Sequence, residues 1–176
     1  GLGVTRKIIF SAAMSLDGFI ADKHDGYAWI KGDGDHGLDT SEKWDYPAFL
    51  NTIDTVLMGR RCYELGQHKD FTNQKIIVAS RQAHDDPAVI FTSDPIQTIR
   101  DLKVQSGKDV FVFGGAKLTQ SLLKENLIDT FIVGIVPVIL GEGIRLFDES
   151  PKIKLHFYNQ SIEEGIVILH YEKRPV

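Results

Sequence analysis

The chain has 176 residues, of which 43% are hydrophobic, and this size and composition predict one globular domain over residues 1–176. Its formal net charge is −4, and it has no basic tract, which argues against a nucleic-acid partner. The longest apolar runs, such as 131–140, are too short to cross a bilayer. We therefore expect neither nucleic acid nor a membrane as a partner.

The cellular location follows from two further features. The single cysteine, Cys62, excludes an internal disulfide and fits a reducing compartment. The first residues lack the long apolar segment of a secretion signal. The sequence therefore predicts a cytoplasmic protein.

Strand and helix patterns alternate along the chain with short links, which is typical of an α/β sheet with helices on its faces. The first predicted elements are a strand over 7–13, a glycine-rich loop over 15–39 and a helix from Thr40 or Ser41 to about Asn51. They are followed by a strand over 55–58, a short helix from Gly59, strands over 75–79 and 88–91, and a helix from Asp94 to near Gly107. The last elements are a strand ending at Gly114, a helix directly after it, a strand over 130–140 and a hairpin over 154–159 and 165–171. The fold prediction is a mostly parallel central sheet with an antiparallel C-terminal hairpin.

The most informative segment is 109–118, where a short apolar run ends in Gly114 and Gly115 and passes directly into a helical pattern. A helix that begins just after a parallel strand presents free backbone N–H groups at its positive end, where an anion such as a phosphate can bind. Glycine also allows the backbone to approach a ligand closely. The alternative is a tight turn that serves packing alone.

Two more predicted strands end in residues suited to phosphate. Gly59, Arg60 and Arg61 follow one strand, and Ser80 and Arg81 follow the next. Ligands of open α/β sheets bind beyond the carboxyl ends of the strands, where guanidinium groups can hold phosphate oxygens. The three strand ends together predict a nucleotide-phosphate site, although the Gly-x-Gly-x-x-Gly fingerprint is absent.

A family resemblance covers the chain from about Lys7 to Phe147. The segment 15–21, Ser-Leu-Asp-Gly-Phe-Ile-Ala, resembles a signature of the reductase domain of riboflavin biosynthesis, the RibD C-terminal family. Trp29-Ile30, segment 54–59 and segment 114–118 follow in that family's order, and 58–64 also resembles the Met-Gly-Arg segment of dihydrofolate reductases. The resemblance implies the three-layer dihydrofolate reductase-like fold, with helices on both faces of the sheet.

The resemblance implies an NADPH-dependent oxidoreductase that acts on CH-OH or CH-NH donors. In the family, the turns after the strands hold the adenosine 2′-phosphate and the diphosphate, the Gly-Gly turn often contains a cis peptide, and the nicotinamide lies near the first loop. Carried over by position, the cofactor-binding residues are Gly59, Arg60, Arg61, Ser80, Arg81, Gly114, Gly115, Ala116, Lys117 and Leu118, with Ala13 and Ile20 beside the nicotinamide.

The substrate side of the site needs a proton source beside the hydride acceptor. Asp45 on the first helix and Asp17 in the first loop are the candidate catalytic residues, with Glu42 a weaker one. The alternatives are that Asp17 only shapes a turn and that Asp45 is a solvated helix residue. Trp44, Phe49 and Lys43 are candidate substrate-binding residues, although helix-spaced aromatic residues often belong to the core. Asp45 and Asp17, with Trp44, Phe49 and Lys43, make up the predicted substrate side.

Departures from the family keep several functions open. Many riboflavin-type sequences have glutamate where this chain has Phe113, and often arginine where it has Leu50. The nearest reaction is 5-amino-6-(5-phosphoribosylamino)uracil reduction. The alternatives are a true dihydrofolate reductase, a non-catalytic NADPH-binding sensor and, less favoured, a flavodoxin-like flavin carrier. Relatives often pair, so a homodimer is also open.

The histidines show no metal-ligand spacing, and we predict no metal site. His24 and His36 share the first loop with several aspartates, but the full calcium-loop pattern is missing. The glycines around them favour a mobile lid over the active site.

Overall fold

The computed structural model describes residues 5–175. The strands are β1 Ile8–Ser15, β2 Phe19–Ala21, β3 Ile53–Gly59, β4 Lys75–Ala79, β5 Ile90–Thr92, β6 Asp109–Gly114, β7 Thr130–Val136, β8 Ile144–Arg145, β9 Leu155–Glu163 and β10 Ile166–Lys173. The helices are α1 Tyr46–Asn51, α2 Arg60–Glu64, α3 Pro95–Lys103 and α4 Ala116–Lys124, with a 3-10 helix at Gln67–Asp70.

Eight strands form one sheet in the order β5-β4-β3-β6-β1-β7-β10-β9, and β2 pairs with β8 in a small second sheet. The pairings from β5 to β7 are all parallel, whereas β10 runs antiparallel to both β7 and β9. The mostly parallel sheet with an antiparallel C-terminal hairpin is therefore confirmed.

Two apolar cores cover the two faces of the sheet. Ile8 and Phe10 of β1 belong to one core with the apolar sides of α3 and α4. Ile9 belongs to the other, with Phe49 of α1 and Phe111 of β6. Successive residues of a strand point to opposite faces, so this division produces the three predicted layers, helix, sheet and helix.

The predicted helix from Thr40 or Ser41 is wrong in its start, because α1 begins only at Tyr46. The Asp45 side chain caps the helix by accepting a hydrogen bond from the Ala48 N–H at 3.0 Å. Thr40 instead joins the chain to β9, since its Oγ1 accepts a hydrogen bond from the Ile162 N–H at 3.0 Å. A threonine can cap a helix or pair with a strand, and the sequence alone does not distinguish these roles.

The strand predicted over 130–140 is also too long, since β7 ends at Val136 before Pro137. Proline has no N–H to donate to a sheet, so it ends the pairing there. In the first loop, Asp22 accepts hydrogen bonds from the backbone N–H groups of His24 and Gly26. Further along that loop, Asp33 N–H donates to the Glu164 carbonyl. These contacts give the loop defined turns and a tie to the hairpin, and its mobility stays a prediction.

Candidate active site

The three glycine- and arginine-bearing strand ends lie side by side at one edge of the sheet. Strand β3 lies between β4 and β6, with Gly59 opposite Ala79 and Met58 opposite Gly114. An ideal Cβ on Gly59 would stand 3.6 Å from the Gly115 nitrogen. The turns predicted to form one phosphate site are therefore neighbours in space.

The Gly114-Gly115 turn opens onto free space. The peptide between the two glycines is cis, and Gly114 has φ +127°, a value that favours glycine. Gly115 is different, because its extended backbone (φ −78°) suits any residue and a Cβ there would meet nothing within 4 Å. Backbone geometry thus accounts for Gly114, whereas neither packing nor backbone geometry requires a glycine at position 115.

The start of α4 adds hydrogen-bond donors to this open turn. Gly115 is the N-cap residue and supplies no side-chain cap, and the helix runs for nine residues behind it. Ala116 and Leu118 are half-buried, whereas Lys117 is exposed. Uncapped N–H groups at a helix start, next to an exposed ammonium group, can hold an anion.

The arginines at this edge are exposed. Arg60 Nε donates to Glu64 Oε1 at 2.6 Å, and Arg61 pairs with Asp25 of the first loop at 2.7 Å. Within residues 5–175, Arg81 makes no ion pair. Exposed ion pairs contribute little to stability, so these arginines can exchange their partners for a phosphate at small cost.

Ser80 shapes the turn in which Arg81 lies. The Ser80 Oγ donates to the Gln82 carbonyl at 2.8 Å, and the Gln82 N–H donates back to the same Oγ at 3.2 Å. The Ser80 N–H donates to the Thr92 carbonyl of β5 at 2.9 Å. The serine side chain therefore holds the turn after β4.

The residues predicted to touch the nicotinamide lie near the end of β1. Ala13 is half-buried and follows Ile9 and Ser11 on one face of the strand, opposite Gly134 of β7. Ile20 is also half-buried, but it packs against the core on the α3 and α4 face. Ala13 thus lies on the face that carries α1, whereas the role of Ile20 stays a prediction.

The Asp17 carboxylate accepts hydrogen bonds from one side chain and two backbone N–H groups. The donors are Ser15 Oγ at 2.6 Å, Leu140 N–H at 3.1 Å and Gly141 N–H at 2.8 Å. These bonds, the Ser15 bond first, lower the pKa of Asp17 from 3.8 to about 2. A carboxyl group with this pKa is ionised at neutral pH, so the geometry favours the turn-shaping alternative over proton donation.

The other predicted substrate residues line a cavity of about 430 Å³ between α1 and the β9–β10 hairpin. Lys43, Trp44, Asp45 and Phe49 all contribute to it. The Trp44 ring lies 5.3 Å from the Phe49 ring. Phe49 is also a buried member of the core, and its contact with a substrate stays a prediction.

The residues of the opposite wall of this cavity were not predicted from the sequence. This wall is formed by five residues of the hairpin, Tyr158, Asn159, Gln160, Ser161 and His170. The His170 ring lies 5.2 Å from the Trp44 ring, edge to face. Polar side chains in a C-terminal hairpin carry no motif, and only the placement of β10 beside β7 brings them to α1.

The cavity lies on the α1 face of the sheet, nearer the amino-terminal ends of the strands than the glycine turns. The cavity is lined by Ile9, Thr130 and Ile132, from the amino-terminal halves of β1 and β7. Ser11 pairs with Ile132, and Ala13 lies two residues, about 7 Å, further toward the strand ends. Ser11 and Ala13 are half-buried and lie between the cavity and the glycine turns.

The fold and this edge define a class of protein, a three-layer α/β domain with glycine- and arginine-bearing turns at the carboxyl ends of its parallel strands. Comparison with known proteins gives its family. The RibD C-terminal domain model matches residues 6–168, and the chain belongs to this family.

The similar proteins agree with this placement. The uncharacterized proteins YwjB and YyaP of Bacillus subtilis strain 168 are 33% and 34% identical, each over 94% of this chain and over 97% and 94% of their own lengths. A candidate riboflavin biosynthesis protein from Shewanella sp. PV-4 has a TM-score of 0.73 at 22% identity, over 96% of this chain and 99% of that chain.

A bifunctional protein of Thermotoga maritima, a diaminohydroxyphosphoribosylaminopyrimidine deaminase/5-amino-6-(5-phosphoribosylamino)uracil reductase, also shares the fold. Its TM-score is 0.71 at 18% identity, and the match covers 97% of this chain and 57% of that chain. Together the solved structures confirm the dihydrofolate reductase-like fold implied by the resemblance.

Residues 5–175 lack two further kinds of feature, membrane-spanning helices and clusters of metal-binding side chains. None of the helices there is both long and apolar enough to span a bilayer. Across the same residues, no group of three or more histidine, cysteine, aspartate or glutamate side chains is arranged to hold a metal ion.

Proposed function

We propose that this protein is an NADPH-dependent reductase that transfers hydride to a pyrimidine or pterin-type ring, nearest in type to 5-amino-6-(5-phosphoribosylamino)uracil reduction. The observation that carries the proposal is the open turn at Gly115, next to Gly59 and at the start of α4. Family membership and the T. maritima reductase of the same fold support it.

The residues of the strand-end edge fit the parts of a dinucleotide phosphate. The turn at 114–118 offers N–H groups for the diphosphate, and Arg60, Arg61 and Arg81 offer guanidinium groups for a 2′-phosphate. When bound, NADPH supplies the hydride, and the protein supplies position and a proton. Three exposed arginines at one edge are the reason to propose NADPH rather than NADH.

In this proposal the reacting ring lies over Ser11 and Ala13, between the glycine turn and the cavity. Both residues are half-buried, which leaves their face partly open to a flat ring. Asp45 is the proposed proton source, through a water, since it is exposed in the lining of the cavity next to the proposed ring position. Asp17 is not proposed for this step because its lowered pKa makes it a poor donor.

A non-catalytic NADPH-binding sensor is the second candidate, and two packing observations favour it. Phe113 replaces the glutamate common in riboflavin-type sequences, and its ring lies 5.3 Å from Phe71, edge to face. Leu50 replaces the common arginine and packs on the same core. Both positions thus serve packing in this chain and offer no charge to a substrate.

A titration separates the two candidates. Calorimetry with NADPH and with NADH measures cofactor binding, and the absorbance change of NADPH oxidation measures turnover on dihydrofolate and on the ribosylaminopyrimidine. NADPH binding with turnover is the expected result. NADPH binding without turnover on any ring of this class favours the sensor, and the absence of binding of either nucleotide contradicts both. The cytoplasmic location and the homodimer remain proposals. Cell fractionation tests the first, and sedimentation of the purified protein tests the second.

A further inference from the structure

His170 is buried in the wall of this cavity. Its side chain is 5% exposed and lies between Trp44 and Tyr158, whose rings are 5.2 and 5.8 Å away. Burial lowers the pKa of His170, which favours a neutral imidazole. A neutral imidazole presents one donor and one acceptor, and here both can be used by a group inside the cavity.

Ser161 places an unpartnered buried hydroxyl on the same wall. It is 7% exposed, and its Oγ is buried without a hydrogen-bond partner within the described part of the chain. It lies two residues from Asn159, which pairs directly with His170 across the hairpin. Buried polar atoms are normally satisfied, so the unpartnered Ser161 Oγ in the cavity wall indicates a polar ligand.

The charges around the cavity oppose an anionic ligand. Glu42, Asp45 and Asp109 contribute three carboxylates to the lining, against the two ammonium groups of Lys7 and Lys43. Both lysines already face carboxylates outside the lining. Lys43 Nζ lies 2.8 Å from Asp39 Oδ2, and Lys7 Nζ lies 3.9 Å from Glu172 Oε2. Within residues 5–175 the lining therefore has more carboxylates than ammonium groups, and this excess of negative charge opposes a phosphate.

We propose that this cavity binds the non-reacting end of the substrate, and that this end is neutral and hydroxyl-bearing, such as a sugar without phosphate. The inference rests on the proposed function, which places the reacting ring over Ser11 and Ala13. Ser11 is level with Ile132 of the cavity lining, and Ala13 lies about 7 Å further along the strand. A hydroxyl group both donates and accepts, which matches a neutral His170 and Ser161. The aromatic sides of Trp44 and Tyr158 cover the apolar faces of such a group.

The test compares two ligands that differ only in the phosphate, 5-amino-6-(ribosylamino)uracil and its 5′-phosphate. Each is titrated calorimetrically into the protein saturated with NADP⁺, which prevents turnover. The dephosphorylated compound is expected to bind at least about tenfold more tightly. Equal or tighter binding of the phosphate, or binding of neither compound, overturns the inference.

Failure of the proposed function gives a different result. If NADP⁺ and NADPH do not bind, the reductase proposal fails, and the same two titrations on the cofactor-free protein still measure the preference of the cavity. If NADP⁺ binds and the phosphate is preferred, the reductase proposal stands and the cavity inference fails.

Substitutions assign the preference to this wall. His170→Phe keeps an aromatic ring and removes both nitrogens, so it should weaken the dephosphorylated ligand by about tenfold and leave NADP⁺ affinity unchanged. His156→Phe is the matched control, because His156 is exposed on β9 and lies outside the lining. Unchanged affinity in His170→Phe overturns the role of His170. If that variant does not fold, Ser161→Ala provides the same comparison.

A charge variant tests the exclusion of phosphate separately. Glu42→Gln combined with Asp45→Asn removes two of the three lining carboxylates and keeps a side chain that can cap α1. The affinity for the 5′-phosphate should rise by about fivefold relative to the dephosphorylated compound. An unchanged ratio contradicts the electrostatic part of the inference.

Discussion

Gly59 and Gly115 lie against each other at the sheet edge, close enough that a Cβ on Gly59 would stand 3.6 Å from the Gly115 nitrogen. They belong to turns 56 residues apart in the chain, one before α2 and one before α4. Because β3 and β6 are parallel neighbours, α2 and α4 begin side by side at the same edge of the sheet. This pairing forms the centre of the proposed cofactor site and leads to the first prediction.

Gly115→Ala should preserve the fold and lose the cofactor. The backbone there is extended and the added methyl group meets no atom within 4 Å, so we expect the free energy of unfolding to change by about 1 kcal/mol or less. The same methyl group would occupy the space proposed for the diphosphate, and NADPH affinity should fall by more than about tenfold. Thermal unfolding and calorimetry measure the two effects, and a variant that binds NADPH normally contradicts the site.

The arginines should distinguish NADPH from NADH. Arg60→Ala and Arg81→Ala should each weaken NADPH by about tenfold and NADH by less than about twofold, because only NADPH carries the 2′-phosphate. Arg100→Ala is the matched control. Its side chain on α3 is 49% exposed and pairs with Glu125, as that of Arg60 is 53% exposed and pairs with Glu64.

Fluorescence titration with both nucleotides gives two dissociation constants for each variant, which are compared with the two of the parent protein. An equal loss for NADPH and NADH in Arg60→Ala and Arg81→Ala would place these arginines at the diphosphate instead. A loss in Arg100→Ala would indicate a general electrostatic effect, since this residue lies away from the strand-end edge.

The fold could be predicted because its signals are local. Buried runs such as 75–79 match strand β4 residue for residue, and the Gly-Gly turn marks where β6 ends and α4 begins. The start of α1 was missed because Thr40 and Asp45 are both good capping residues, and the choice between them depends on β9, more than 110 residues later. His170 was missed for the same reason, since its partner ring, Trp44, is brought to it only by the sheet order.

Asp17 should make stability depend on pH in the acid range. Its pKa in the folded protein is about 2, below the ordinary 3.8, so its stabilising contribution is complete above 3.8 and is lost as the pH falls toward 2. Asp17→Asn should therefore have a lower Tm than the parent at neutral pH, and the difference should shrink across this window.

Asp85→Asn is the control for that measurement, because Asp85 is exposed and accepts no hydrogen bond from other described residues. Its Tm difference from the parent should stay constant with pH. A difference for Asp17→Asn that is equally constant between pH 3.8 and 2 would mean that the bonds from Ser15, Leu140 and Gly141 do not stabilise the carboxylate selectively.

Asp45→Asn should remove turnover without unfolding the helix that carries it. Asparagine caps helices about as well as aspartate, so α1 should persist, but an amide cannot supply the proton. We expect kcat to fall by about a hundredfold, with NADPH affinity unchanged. Asp94→Asn is the matched control, because Asp94 caps α3 through Gln97 N–H at 3.0 Å, as Asp45 caps α1 through Ala48 N–H at 3.0 Å. Turnover that survives in Asp45→Asn, or falls equally in Asp94→Asn, would show that the residue only caps its helix and that the proton comes from solvent.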